Sequence, residues 1–113
     1  MSDWRERLEG LDVEPLDGGV LALYQARAFR PRRRGLAKLD ALPVGVGLHI
    51  HPCCAVHTFG MRFSLDLIWL ARDGSVVRVD RAVAPRRQRL CLRAKSVVEA
   101  ATGDAERWTA ALA

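Results

Sequence analysis

The sequence predicts a mainly β fold: a small antiparallel β-sandwich or partly closed barrel with one or two short peripheral helices. Three observations carry this. Asp73-Gly74 stands between two apolar runs, a two-residue hairpin signal in which both central positions take positive φ. Phe63–Ala71 is apolar on both faces, as a central strand covered on both sides would be. The links between the central apolar runs are short, and no crossover helix of useful length separates them.

Taken in order, residues 3–9 suit a short helix with Ser2 as its cap. Asp17-Gly18-Gly19 marks a turn, and Val20–Arg27 reads as a strand, with a helix left open by its Ala and Leu. Arg30–Arg34 is a loop held in part by Pro31. Gly35–Leu42 places Leu36, Leu39 and Leu42 on one helical face, and Pro43 ends it. Val46–His51 is a strand that Pro52 stops or puts at an edge. Ser75–Arg81 returns from the hairpin. The two-residue turn pairs Arg72 with Ser75, hence Leu70 with Val77, Ile68 with Val79 and Asp66 with Arg81, with Trp69 opposite Arg78. Arg89–Arg93 alternates as a half-buried strand, and Ser96–Ala101 is another. Residues 103–112 are helical in composition, with Asp104 near the start and Trp108 and Leu112 one turn apart.

A chain of 113 residues is expected to form one domain over 1–113, with residues 1–18 as an N-terminal extension. Half the residues are hydrophobic, enough for one core. No apolar run approaches the ~20 residues of a membrane helix. The charged N-terminus and odd cysteine count lead us to expect a cytoplasmic protein with reduced thiols. The net charge of +5 gathers in Arg30–Arg34 and in Arg86, Arg87, Arg89, Arg93 and Lys95. These runs admit nucleic acid as a partner, although no aromatic residues interleave with them in the sequence. No cofactor motif is present.

Arg34-Gly35-Leu36, Cys53, Val56-His57-Thr58-Phe59-Gly60-Met61-Arg62-Phe63, Leu65-Asp66, Asp73-Gly74, Val76-Val77, Pro85, Arg86 and Val97-Val98-Glu99 together resemble the family called domain of unknown function 192. The resemblance covers about residues 20–103. It implies a small, mainly β domain and no established activity. The chain departs from the family pattern at Ser64, where members often carry proline. It departs again at its end, Trp108–Ala113, where members commonly have a glycine- and Asp-rich strand. His49 and His51 fall outside the motif.

Three chemistries are open to these residues. His57, Thr58, Met61, Arg62 and Asp66 could line a pocket for an unknown small molecule, with Arg62 as an anion fork. The segment could instead brace the fold, with His57 and Thr58 capping backbone groups of a bend, Gly60 at positive φ and Arg62 neutralising Asp66. Cys54 or Cys53 could act as a nucleophile with His57 as base and Asp66 orienting the ring, as a thiol-dependent or hydrolytic enzyme. His49, His51 and Cys53 alternate, so they are weak candidates for metal ligands, and Pro52 interrupts their strand. The most defensible expectation is a ligand-binding module.

Overall fold

The structure, a computed structural model, describes residues 3–27 and 36–112. Its centre is a six-stranded sheet built from β1 (Val13–Leu16), β2 (Leu21–Ala26), β3 (Val46–Ile50), β5 (Leu65–Leu70), β6 (Val76–Val83) and β8 (Ser96–Ala101). The strand order is β1-β2-β3-β8-β5-β6, so the sheet is open, with β1 and β6 at its edges. Strands β4 (Ala55–His57) and β7 (Gln88–Leu90) form a separate two-stranded ribbon. Among the described residues two short α-helices, α1 (Trp4–Leu8) and α2 (Ala105–Leu112), complete the expected mainly β architecture.

Strand β5 is buried at all six positions, because each of its faces supports a different layer. Leu65, Leu67 and Trp69 enter the larger core, with Leu8 of α1, the leucines Leu36, Leu39 and Leu42, and Val56 of the ribbon. Ile68 and Leu70 enter the smaller core with Leu21, Leu23, Val98 and Trp108 of α2. The predicted both-face burial of this strand is therefore what the layers produce.

Pairing is antiparallel throughout the sheet except between β2 and β3, which run parallel. A parallel pair needs a long crossover rather than a hairpin, and the connection over residues 27–45 supplies it. Its Leu36–Lys38 portion is a turn, not the predicted helix. Lys38 takes φ 68°, which no helix continues through, and its N–H donates to the Gly60 carbonyl at 2.8 Å. Leu36, Leu39 and Leu42 are buried all the same. Arg30–Arg34 lies outside the described residues.

The β5–β6 hairpin keeps the predicted pairs Ile68–Val79 and Trp69–Arg78, but the register shifts on both sides of them. Only Gly74 of the turn pair has positive φ, 88°. The Ala71 N–H donates to Ser75 and the Gly74 N–H to Ala71, so the reversal is wider than a type I′ turn, and Leu70 meets Val76 instead of Val77. Asp73 braces it by accepting from the Ser75 N–H and hydroxyl. A second shift, between Leu65 and Leu67, takes Asp66 out of register with Arg81.

Helix α1 is capped by Asp3, whose carboxylate accepts from the Arg5 N–H, in place of the predicted Ser2. Helix α2 is anchored by Trp108, which is fully buried and donates through Nε1 to Asp104 at 3.0 Å. Its ring lies on Gly47 of β3, where an added Cβ would sit 2.7 Å from Trp108 Cζ2. Gly47→Ala is therefore expected to destabilise the fold by about 1–3 kcal/mol. Urea unfolding checks this: the midpoint should fall with an unchanged slope. An unchanged midpoint would show that the indole is not wedged against this strand.

Candidate functional site

Loop and strand positions determine where the sequence-predicted residues lie. Asp66 belongs to β5 but sits in a register with Ala100 of β8, on the α2 side of the sheet. It is 1% exposed. One carboxylate oxygen accepts from the Ala82 N–H at 2.8 Å, and the other from the N–H groups of Gly103 and Ala105 at 2.9 and 3.0 Å. Neither Arg81 nor Arg62 neutralises it, because each pairs elsewhere on the surface: Arg81 with Glu106 and Arg62 with Asp40. The Asp66 oxygens instead satisfy three backbone N–H groups, one on β6 and two at the entry to α2.

His57 and Thr58 lie on the opposite side, because Val56 between the ribbon strands packs into the larger core. Thr58 is buried and fastens a distant loop. Its hydroxyl donates to the Ala84 carbonyl at 2.7 Å and accepts from the Arg87 N–H at 2.8 Å, while its own N–H donates to the Arg87 carbonyl. His57 is exposed, with the Phe59 ring 5.7 Å away. Met61 is partly buried against the larger core, and Arg62 is exposed. The five residues His57, Thr58, Met61, Arg62 and Asp66 are thus not one cluster. The sheet separates Asp66 from the other four. A relay from Cys53 or Cys54 through His57 to Asp66 is not assembled for the same reason.

His49 and His51 stack face to face, with ring centroids 4.2 Å apart. One nitrogen of each ring, His49 Nδ1 and His51 Nε2, reaches the same acceptor, Gln25 Oε1, at 2.8 and 3.0 Å, and Arg27 donates to His51. Burial first, then the charges of His51 and Arg27, lower the His49 pKa from 6.5 to about 4. The Cys53 thiol donates to the Ala55 carbonyl at 3.2 Å. Among the described residues no group of three or more His, Cys, Asp or Glu side chains is placed to hold a metal ion.

Two features were missed by reading the sequence alone. Glu99 of β8 lies directly between Leu48 of β3 and Leu67 of β5, both in the larger core. It is 5% exposed and its Oε1 has no hydrogen-bond partner. Burial raises its pKa to about 7. The available signal was an acid inside a strand whose neighbours are apolar on both faces. The second feature is an open cleft of about 490 Å³ lined by Pro52, Cys53, Cys54, Ala55, Leu92, Ala94 and Lys95. Its two walls are stitched by backbone bonds of 2.8 Å: the Cys53 N–H donates to the Lys95 carbonyl, and the Cys91 N–H to the Cys54 carbonyl. The sequence places these walls some forty residues apart, so no local pattern could reveal them.

An open mixed sheet, one helix on one face and a ribbon over the other, defines a small mainly β domain with its surface cleft at the root of the ribbon. The chain belongs to the domain of unknown function 192 family, described as uncharacterized ACR, which matches residues 14–111. The match reaches back into β1, so part of the stretch read as an extension is a sheet strand. No curated protein matches the chain. A protein of unknown function from Novosphingobium aromaticivorans shares the fold at a TM-score of 0.73 and 20% identity, over 88% of this chain and 80% of its own. A putative transcription regulator from Sinorhizobium meliloti does so at a TM-score of 0.70 and 17% identity, over 78% of this chain and 74% of its own. At these identities the likeness is one of fold alone. Among the described residues no helix is long and apolar enough to cross a membrane, which says nothing of β-barrels.

Proposed function

We propose that the domain binds a small organic anion with an apolar body, and that the ligand sits in the Pro52–Lys95 cleft rather than among the five residues first singled out. The cleft itself carries this reading. Its volume is within the range of small-molecule sites, and its lining is apolar with few polar groups. Lys95 is the only charged side chain in that lining, and it is exposed. The segments that build the walls reinforce its sign, since residues 52–65 and 81–98 contain no Asp or Glu. Leu92, 78% exposed, offers an apolar surface beside the ammonium group.

An NMR titration with octanoate tests the proposal. Amide shifts are expected at Cys53–Ala55 and Leu92–Lys95, weakened about tenfold in affinity by Lys95→Ala, since an ion pair with one cation contributes on the order of 1 kcal/mol or slightly more at a partly exposed site. The absence of shifts at millimolar octanoate, or equal shifts in the variant, would count against the cleft.

A further inference from the structure

The ribbon beside the cleft presents a second surface. Strands β4 and β7 pair Ala55 with Leu90, Val56 with Arg89 and His57 with Gln88. Val56 turns inward, so Ala55, His57, Gln88 and Leu90 share the outer face, and each is exposed. Thr58 then brings two distant stretches together. Its N–H donates to the Arg87 carbonyl at 2.8 Å, and its carbonyl accepts from the Arg86 N–H at 3.2 Å. The neighbours of Thr58 are His57 and Phe59, so a pair of exposed rings lies beside two exposed arginines that are nearly thirty residues away in sequence. Phe59 is 49% exposed. Arg93 and Lys95 continue the positive charge at the other end of the ribbon. Among the described residues, Arg86, Arg87, Arg93 and Lys95 form no ion pair with a carboxylate, whereas Arg62, Arg78, Arg81 and Arg107 each do.

We infer that this ribbon face binds single-stranded nucleic acid, with the His57–Phe59 pair as a base-stacking platform and Arg86, Arg87, Arg93 and Lys95 holding phosphates. Cations along an extended face suit a polyanion, and exposed rings beside them suit unstacked bases. A duplex would withhold its base faces from these rings. An acidic peptide would use the cations and leave the rings idle. The surface is distinct from the small-molecule cleft, although Lys95 borders both.

Fluorescence anisotropy with mixed-sequence 20-nucleotide DNA and RNA single strands, on the full chain, tests this. Four phosphate contacts predict that affinity falls about 50-fold between 50 and 200 mM salt. Phe59→Ala should weaken binding about tenfold through lost stacking. Arg87→Gln with Arg93→Gln should weaken it and flatten the log–log salt slope by about 1.4. These side chains are exposed, and matching thermal melts would confirm that the variants fold. The inference is overturned by the absence of binding at 50 mM salt, or by duplex or polyglutamate binding as tightly as single strands. It is equally overturned if binding is unchanged in all variants, as it would be if Arg30–Arg34 alone held the strand.

Discussion

Asp66→Ala is expected to lose about 3–5 kcal/mol of folding stability, the largest effect of any single substitution proposed for this chain. The wild-type carboxylate satisfies the N–H groups of Ala82, Gly103 and Ala105 at 2.8–3.0 Å from a buried position. Each buried donor left without an acceptor costs about 1–3 kcal/mol, and the three share one cavity, so their costs do not simply add. The damage reaches beyond one residue, because the carboxylate ties β5 to β6 and to the first turn of α2. Asp66→Asn should cost less: its single oxygen can still accept from the Gly103–Ala105 pair, but its NH₂ would face the Ala82 N–H. Urea midpoints for the two variants check the order. An Ala variant within about 0.5 kcal/mol of wild type would exclude the bracing role.

The next largest effect is expected at Glu99 and depends on pH. Its folded pKa is raised by burial from 4.5 to about 7. Below 4.5 the carboxyl is protonated in both folded and unfolded chains, and its stability contribution is whole. As pH rises toward 7 the unfolded chain releases the proton while the folded chain holds it. Above 7 the fold must carry a buried charge, a loss of ~3 kcal/mol at about 1.4 kcal/mol per pKa unit. His49 acts in the opposite direction: its lowered pKa means its contribution is whole above 6.5 and is lost as pH falls toward 4. The two trends partly cancel in the wild type. Glu99→Gln should unmask the acid-side loss, and Glu99→Leu should be more stable than wild type at pH 8 by about 2–3 kcal/mol, since an apolar side chain of similar volume replaces an unpaired charge. Urea unfolding at pH 5 and pH 8 measures this. Parallel pH profiles for wild type and Glu99→Gln would contradict it.

These two carboxylates show what the sequence could and could not reveal. The hairpin, the doubly covered β5 strand and the Trp108 helix were legible because each depends on local pattern: turn chemistry, apolar runs and one-turn spacing. The Ile68–Val79 and Trp69–Arg78 pairs followed from the Asp73-Gly74 turn. The fate of Asp66 did not follow, because a shift of register between Leu65 and Leu67 exchanged an expected arginine for backbone donors from the far end of the chain. The parallel β2–β3 pair was hidden for a related reason: the one helical spacing in its crossover, Leu36, Leu39 and Leu42, spans barely two turns, and Leu36–Lys38 folds as a turn. Short strands such as β4 are set by pairing with β7 rather than by composition. The same long-range pairing puts Phe59 beside Arg86 and Arg87, whereas along the chain no aromatic residue interleaves with the arginines. Thr58 was placed correctly in type, as a residue bonding the backbone of a bend, while the loop it bonds lies at Ala84–Arg87.

The sheet divides the motif: Asp66 supports α2 from one side, while the cleft proposed for ligand lies on the other, at the root of the ribbon. One octanoate titration followed by amide shifts reads both sides at once. Movement is expected at Cys54, Ala55, Ala94 and Lys95, with Ala82, Gly103 and Ala105 silent. Movement at Ala82, Gly103 and Ala105 with the cleft amides unchanged would contradict it.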